Sequence, residues 1–248
     1  MNFRSQFKAC LLFLLFFLPF IRVIAQSSSD DSLSLVKSIN NALTIYYQSA
    51  GDQSRLYNGT EYTGYPFSFV EGSPFFLTSQ PQRGSIIYDG VEYRDIDLQY
   101  DELSGLVILH DENHRIQLSN DRISRFTIGN YPFIRIVNDS LNPAIPATGF
   151  YNILYEGNLT VLKKEIKSIR QIYSYSQEIT RVIDVKMNYY FRKNNEYTVI
   201  KSQKELLNFF GDRKKDIQQY IKNNKLSFKK DPDNLLVKVA VYYDQQTK

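Results

Sequence analysis

Two histidines make up the whole imidazole supply of this chain, and both lie in one stretch, His110-Asp111-Glu112-Asn113-His114. Zinc hydrolases of the His-Glu-x-x-His type need both rings on one face of a helix, with the glutamate reaching the metal-bound water. Here Glu112 stands third, and strand-like residues flank both ends. The stretch therefore predicts a hairpin turn, and no metal is assigned to it. The acids of Asp95–Glu102 lack the spacing and the central glycine of a calcium loop. Ile96, Leu98 and Tyr100 alternate with Asp95, Asp97, Gln99 and Asp101. That period of two predicts a strand with one buried face and one wet, acidic face.

Other catalytic arrangements are missing or cannot be read. No Gly-x-Ser-x-Gly elbow occurs, and Glu71-Gly72-Ser73-Pro74 is no substitute for one. A Ser-His-Asp triad would have to use a turn histidine. The one cysteine, Cys10, lies in an N-terminal segment that is expected to be removed, which leaves no thiol for Cys–His chemistry. No glycine loop follows a strand and opens a helix to cradle phosphate. Carboxylates for glycoside hydrolysis are plentiful, but sequence gives no separations between them. The expectation is a non-catalytic protein without a cofactor.

Aromatic residues are the other candidates. The chain holds 19 Tyr and 17 Phe but no Trp. They cluster at Tyr57/Tyr62/Tyr65/Phe67, Phe150/Tyr151/Tyr155 and Tyr189/Tyr190/Phe191. Tyrosine rings stack on sugars or line apolar grooves, and they also suit half-buried strands. Tyr57, Tyr62, Tyr65, Phe150, Tyr151 and Tyr155 are the candidate ligand-binding residues. Residues 201–230 carry a net charge of +6, while residues 26–200 carry −4. The basic stretch is read as the solvated faces of helices, with anionic headgroups or a phosphate-bearing glycan as the alternative.

The elements that must position these residues follow from turn chemistry and periodicity. Between Gly84 and Val137, short apolar runs alternate with turn signals about every eight residues, as in an antiparallel meander. Asp89-Gly90 and Lys193-Asn194-Asn195 are hairpin signals, because two-residue turns need positive φ. Strands are predicted at Pro74–Thr78, Ser85–Tyr88, Val91–Tyr100, Gly105–His110, Arg115–Leu118, Ile123–Ile128, Pro132–Val137, Gly149–Tyr155, Val182–Arg192 and Glu196–Ile200. Leu159–Tyr173 reads as a strand through Lys167, although Leu162, Ile166, Ile169 and Tyr173 also fit a helical stripe. Arg55–Gly72 reads as a loop that lays aromatic rings over the end of the sheet.

Helices bracket the sheet. Leu33, Val36, Ile39, Leu43, Tyr46 and Tyr47 recur at helical steps, and Gly51 ends that run, which gives a helix over 33–50. Ser202-Gln203-Lys204-Glu205 is a capping box. Asp212 is read as the cap of a second helix, and Asp231-Pro232 as the start of a third. The fold class is thus α+β, mostly β. A meander curls into a half-barrel or open barrel, with a helix before it and a helical segment at 202–245 packed on the sheet. Most of the predicted strands are too short for a closed outer-membrane barrel.

The N-terminus addresses the chain for export. Arg4 and Lys8 precede a Leu/Phe-rich run that ends at Val23-Ile24-Ala25, the pattern of a signal peptide over 1–25 cut between Ala25 and Gln26. Its loss removes three positive charges and takes the net charge from +4 to +1, which makes no case for nucleic acid. One domain over 26–248 is expected, with no membrane span after cleavage. An exported chain without cysteine fits a Gram-negative periplasm or an extracellular setting better than a eukaryotic secretory route.

The ending FGDRKKDIQQYIKNNKLSFKKDPDNLLVKVAVYYD, the start YNGTEY and the centre GFYNILYEG resemble uncharacterised exported proteins of Bacteroidota-type bacteria. The resemblance implies export and a β-rich fold, and it carries over no activity and no functional residue. Two roles remain in view. One is a non-catalytic envelope or secreted protein that binds a protein or glycan through its aromatic loops. The other is a periplasmic carrier that holds a lipid or another apolar ligand in the groove of a curved sheet.

Overall fold

The computed structural model describes residues 35, 37–39, 42, 45, 55–111, 114–138, 145–173 and 178–246. The signal segment with its Ala25–Gln26 site lies outside the described residues, as does most of the helix expected over 33–50. Its described positions, Leu35, Lys37, Ser38, Ile39, Ala42 and Ile45, are helical. The chain divides into two compact units, residues 1–39 and 40–248, and every described strand belongs to the second.

Eleven antiparallel strands form one open sheet. They are β1 (Thr60–Glu61), β2 (Gln82–Tyr88), β3 (Val91–Asp101), β4 (Leu106–Asp111), β5 (His114–Gln117), β6 (Ile123–Ile128), β7 (Tyr131–Ile136), β8 (Gly149–Tyr155), β9 (Thr160–Tyr173), β10 (Ile179–Lys193) and β11 (Glu196–Val199). The order is β1-β5-β4-β3-β2-β6-β7-β8-β9-β10-β11. The sheet departs from a simple meander at two points, where β1 pairs with β5 and where β6 returns to pair with β2. In a flat sheet β5 and β6 would stand about 19 Å apart, at about 4.8 Å per strand. The short link between them contains a 3₁₀ turn at Asn120–Arg122, so it reaches only if the sheet curls.

Bulges supply the curl. One lies between Gly84 and Ser85, opposite Asp95, which has φ of 55°. It swaps the inward parity of β3, so Tyr93 before it and Leu98 and Tyr100 after it are all buried. Gly84 is required here, because a Cβ would lie 2.0 Å from the Thr127 carbonyl oxygen. The curl closes on aromatic rings. Phe126 stacks on Phe133 at 4.7 Å, and Tyr100 and Phe150 pack edge-on against this pair at 5.1 to 5.5 Å.

Several expectations change. The wet face of β3 is wet only in part, since Gln99 and Asp101 are buried. The loop before β2 covers them: Gln99 donates to the Ser79 carbonyl, and Asp101 accepts from two tyrosines. The strand predicted at Pro74–Thr78 reduces to one bridge, Phe75 to Asp101. Leu77 has φ of 58° and ends any extension. For 160–173 the strand reading holds over the helical stripe, because Thr160–Tyr173 pairs with β10 along its whole length. Strands β4 and β5 pair with Asp111 opposite His114, and residues 112 and 113 of the expected turn lie outside the described residues. Asp89-Gly90 and Asn194-Asn195 take the positive φ that their turns require.

Three helices follow, α1 (Gln203–Phe209), α2 (Lys214–Asn223) and α3 (Pro232–Gln245). Ser202 Oγ caps α1 by accepting from the Glu205 amide, while the Glu205 carboxylate reaches past the cap to the Lys201 amide, so half of the capping box forms as expected. Asp212 does not cap α2. A 3₁₀ turn at Gly211–Arg213 moves the helix start on to Arg213, which makes no side-chain cap. Asp231 caps α3 by accepting from the Asn234 amide. Leu206, Ile217, Ile221, Leu235, Leu236 and Val239 pack on Leu159, Val161, Tyr189, Phe191 and Ile200 of the sheet. Each large side chain so buried stabilises by about 1.5–3 kcal/mol. A chain truncated after Lys201 is therefore expected to aggregate when examined by size-exclusion chromatography. A soluble monomer with unchanged thermal unfolding would show instead that the helices are dispensable.

Candidate functional site

Residues 70–76 form a strap across the open side of the curl. At one end Glu71 bridges Val182 of β10 in parallel, with the Val70 amide donating to the Arg181 carbonyl and the Ile183 amide to that of Glu71. At the other end Phe76 donates to the Tyr100 carbonyl, and Glu102 donates to that of Pro74. The strap thus joins β3 to β10, which the sheet separates by β2, β6, β7, β8 and β9. Gly72 makes the close approach possible: its φ is 82°, and a Cβ would stand 2.8 Å from that of Ile183.

Beneath the strap lies Lys167 of β9. Its ammonium donates to the carbonyls of Ser73 (3.0 Å) and Phe75 (2.6 Å) and stands 2.9 Å from Glu102 Oε2. The two side chains are 7% and 3% exposed. Oε2 of Glu102 makes this ion pair without the alignment of a hydrogen bond. Lys163, Glu165 and Lys167 share one face of β9 at two-residue steps. Lys163 Nζ contacts Glu165 at 3.4 Å and Asp233 of α3 at 2.9 Å. Asp233 also accepts from the Tyr189 hydroxyl at 2.6 Å. A row of alternating charge therefore runs from helix α3 to the strap. Burial, and then the nearby Glu165 charge, push the Glu102 carboxyl up to about 7, against the pull of Lys167. A carboxyl that titrates near neutrality can act as a general acid where substrate reaches it. Here the strap roofs it.

A second arrangement centres on Asp101. Its Oδ2 accepts from the hydroxyls of Tyr62 (2.8 Å) and Tyr65 (2.7 Å), and its Oδ1 from the amides of Leu103 and Ser104. Burial and this carboxylate raise both phenols above their ordinary range. The Arg115 guanidinium lies 4.7 Å above the Tyr62 ring. Tyr65, Phe67 and Phe69 pack ring on ring, with Arg181 over Phe67. A cleft of about 180 Å³ opens beside Tyr62, Tyr65, Asp101 and Ser104.

The six aromatic candidates do not form one site. Tyr62 and Tyr65 meet on Asp101. Tyr57 packs against the inner core, which includes Phe150. Tyr151 is buried elsewhere and donates to the Ala147 carbonyl. Tyr155 donates to Asp244 of α3. Sequence reading missed Glu102 and Lys167, because neither stands in a motif and a chain end-on to its own strap leaves no periodic trace. His110 Nε2 lies 3.1 Å from Gln99 Oε1 at the edge of the loop-covered face.

The third feature is the outer part of the β9–β10 hairpin. The two strands pair without a break from Thr160–Arg192 to Tyr173–Ile179. Ile166, Ile169, Ile172, Tyr173, Ile179, Val185 and Met187 are all exposed there, Tyr173 to 69%. No known protein family, curated protein or solved structure matches this chain.

The Glu102 carboxyl gives a pH prediction. Its value rises from 4.5 to about 7 on folding, so the folded protein holds the proton more tightly than the unfolded chain does. The resulting stability is fully present below pH 4.5 and is lost as pH rises through about 7. At about 1.4 kcal/mol per unit, this amounts to about 3–4 kcal/mol. Urea midpoints at pH 5 and pH 8 should differ in the wild type and converge in Glu102→Gln. Parallel shifts in both proteins would remove Glu102 as the source.

Proposed function

We propose that this chain is a non-catalytic exported protein of the cell envelope or extracellular space, and that it holds a protein partner on the β9–β10 arm. The arm itself carries the reading. Register places Ile166 and Ile172 on one face and Ile169, Tyr173, Ile179, Val185 and Met187 on the other. The first face also carries Ser168, Arg170, Thr180, Asp184 and Lys186 and is partly polar, whereas Ile169, Tyr173 and Ile179 stand exposed together on the second. Exposed apolar surface of this kind marks an interaction site. The charged row anchors the base of the arm, so the apolar part stands on a rigid support.

The other roles draw less support. A glycan would stack on exposed aromatic rings, and Tyr62, Phe150 and Tyr151 of the candidates are buried. A lipid carrier would need an open inner face, where Tyr100, Phe126, Phe133 and Phe150 pack ring to ring. Among the described residues no helix is long and apolar enough to cross a membrane.

The test is a photoreactive phenylalanine analogue placed at Ile172, and at exposed Asp121 as a control, in cells that export the chain. Irradiation should give a discrete adduct from position 172 and none from 121, on a chain whose mass begins at Gln26. No adduct from the arm, or a chain that retains residues 1–25, would contradict the reading.

A further inference from the structure

The outer edge of β10 is paired at both ends and open between them. Odd-numbered residues of β10 turn their main-chain groups away from β9. The Ile183 amide and the Arg181 carbonyl meet the strap, and the Tyr189 carbonyl accepts from the Ile200 amide at 2.9 Å. Strand β11 pairs only with Tyr190–Lys193. The outward N–H and C=O groups of Val185 and Met187 have no partner among the described residues. We propose that this gap binds an extended segment of a partner protein as an added β-strand, with apolar and carboxylate side chains alternating along it. The proposal rests on the partner-binding reading of the arm and names the form that the partner takes.

Three observations define the occupant. First, unpaired backbone groups at a strand edge are satisfied by another extended backbone. The gap from 184 to 188 spans about 16 Å, at about 3.3 Å per residue, and the strap and Ile200 close its ends. Second, a cleft of about 280 Å³ opens at the gap, lined by Met187, Tyr189, Ile200 and Phe228 among others. Phe228 packs edge-on to Tyr189, so the cleft has an aromatic wall and suits an apolar side chain. Third, Lys186 and Lys201 line the same cleft. Both are exposed and have no ion-pair partner among the described residues. They favour carboxylates on the incoming strand.

A second copy of this chain fits less well. Edge-to-edge pairing about a twofold axis at Lys186 would set two ammonium groups opposite each other, which destabilises a strand pair. The closed ends of the two gaps would also collide.

The experiment uses the mature chain and a fluorescein-labelled pentapeptide of alternating Val and Glu, which matches the length of the gap, read by fluorescence anisotropy. Saturable binding is expected. Met187→Pro removes one outward N–H without touching the ladder to β9, and should weaken binding at least tenfold. Lys186→Glu should weaken the Val-Glu peptide and favour its Val-Lys counterpart. If Met187→Pro does not fold, the Lys186→Glu comparison and a peptide N-methylated at alternate bonds carry the test. Absence of wild-type binding, or equal binding by Met187→Pro or by the N-methylated peptide, overturns the proposal. So does concentration-dependent dimerisation through the same edge. Adducts from position 172 without peptide binding would sink the slot and leave the arm standing. Peptide binding without adducts would do the reverse.

Discussion

The fold depends on one ammonium group taken out of water. Lys167 donates to two carbonyls of the strap and is paired by charge with the Glu102 carboxyl 2.9 Å away. An unpaired charge in that position would cost several kcal/mol, so the partners and the lysine each require the other. The two carbonyls belong to a segment that would otherwise be an ordinary loop. Held from below by Lys167, it pairs with β10 at one end and β3 at the other. The same face of β9 continues through Glu165 and Lys163 to Asp233, so α3 is tied to the row as well.

Around this polar row lie three apolar cores. One is the aromatic interior of the curl, another is the seam between the helices and β8–β11, and a smaller third gathers Ile136, Tyr151, Ile153 and Leu162. Bulges and the close approach at Gly84 set the curvature, and stacked rings fill the space that it encloses. The row between the cores contributes little net stability, because desolvation offsets most of the attraction between its charges. What it supplies is register: a slip of β9 by one residue would drive Lys167 into the opposite face.

The sheet was legible where residues speak locally. Strands β6 and β8 follow from alternation and turn residues alone, and the Ser202 and Asp231 caps announce α1 and α3. What escaped depends on contacts between distant residues. Asp101 reads as a solvent-facing acid until Tyr62 and Tyr65, more than thirty positions earlier, arrive on it. Asp212 reads as a cap until the positive φ of Gly211 inserts a 3₁₀ turn. The return of β6 to β2 has no local signature, because pairing order is decided by curl. Of the candidate site, the aromatic residues were visible by type, but the sequence could not say that Phe150 and Tyr151 are core. The open edge of β10 was invisible, since an unpaired strand is defined by what fails to reach it.

A rigid base and an exposed arm divide the work of the molecule. The strap and the charged row fix the root of β9 and β10, and the outer hairpin is left to meet a partner. The most direct measurement of this account is amide hydrogen exchange on Lys167→Met. The account predicts that the amides of Val70, Phe76, Glu102 and Ile183 lose protection together, while those of Ile86 and Phe126 keep theirs. Wild-type protection at all four strap amides would contradict it.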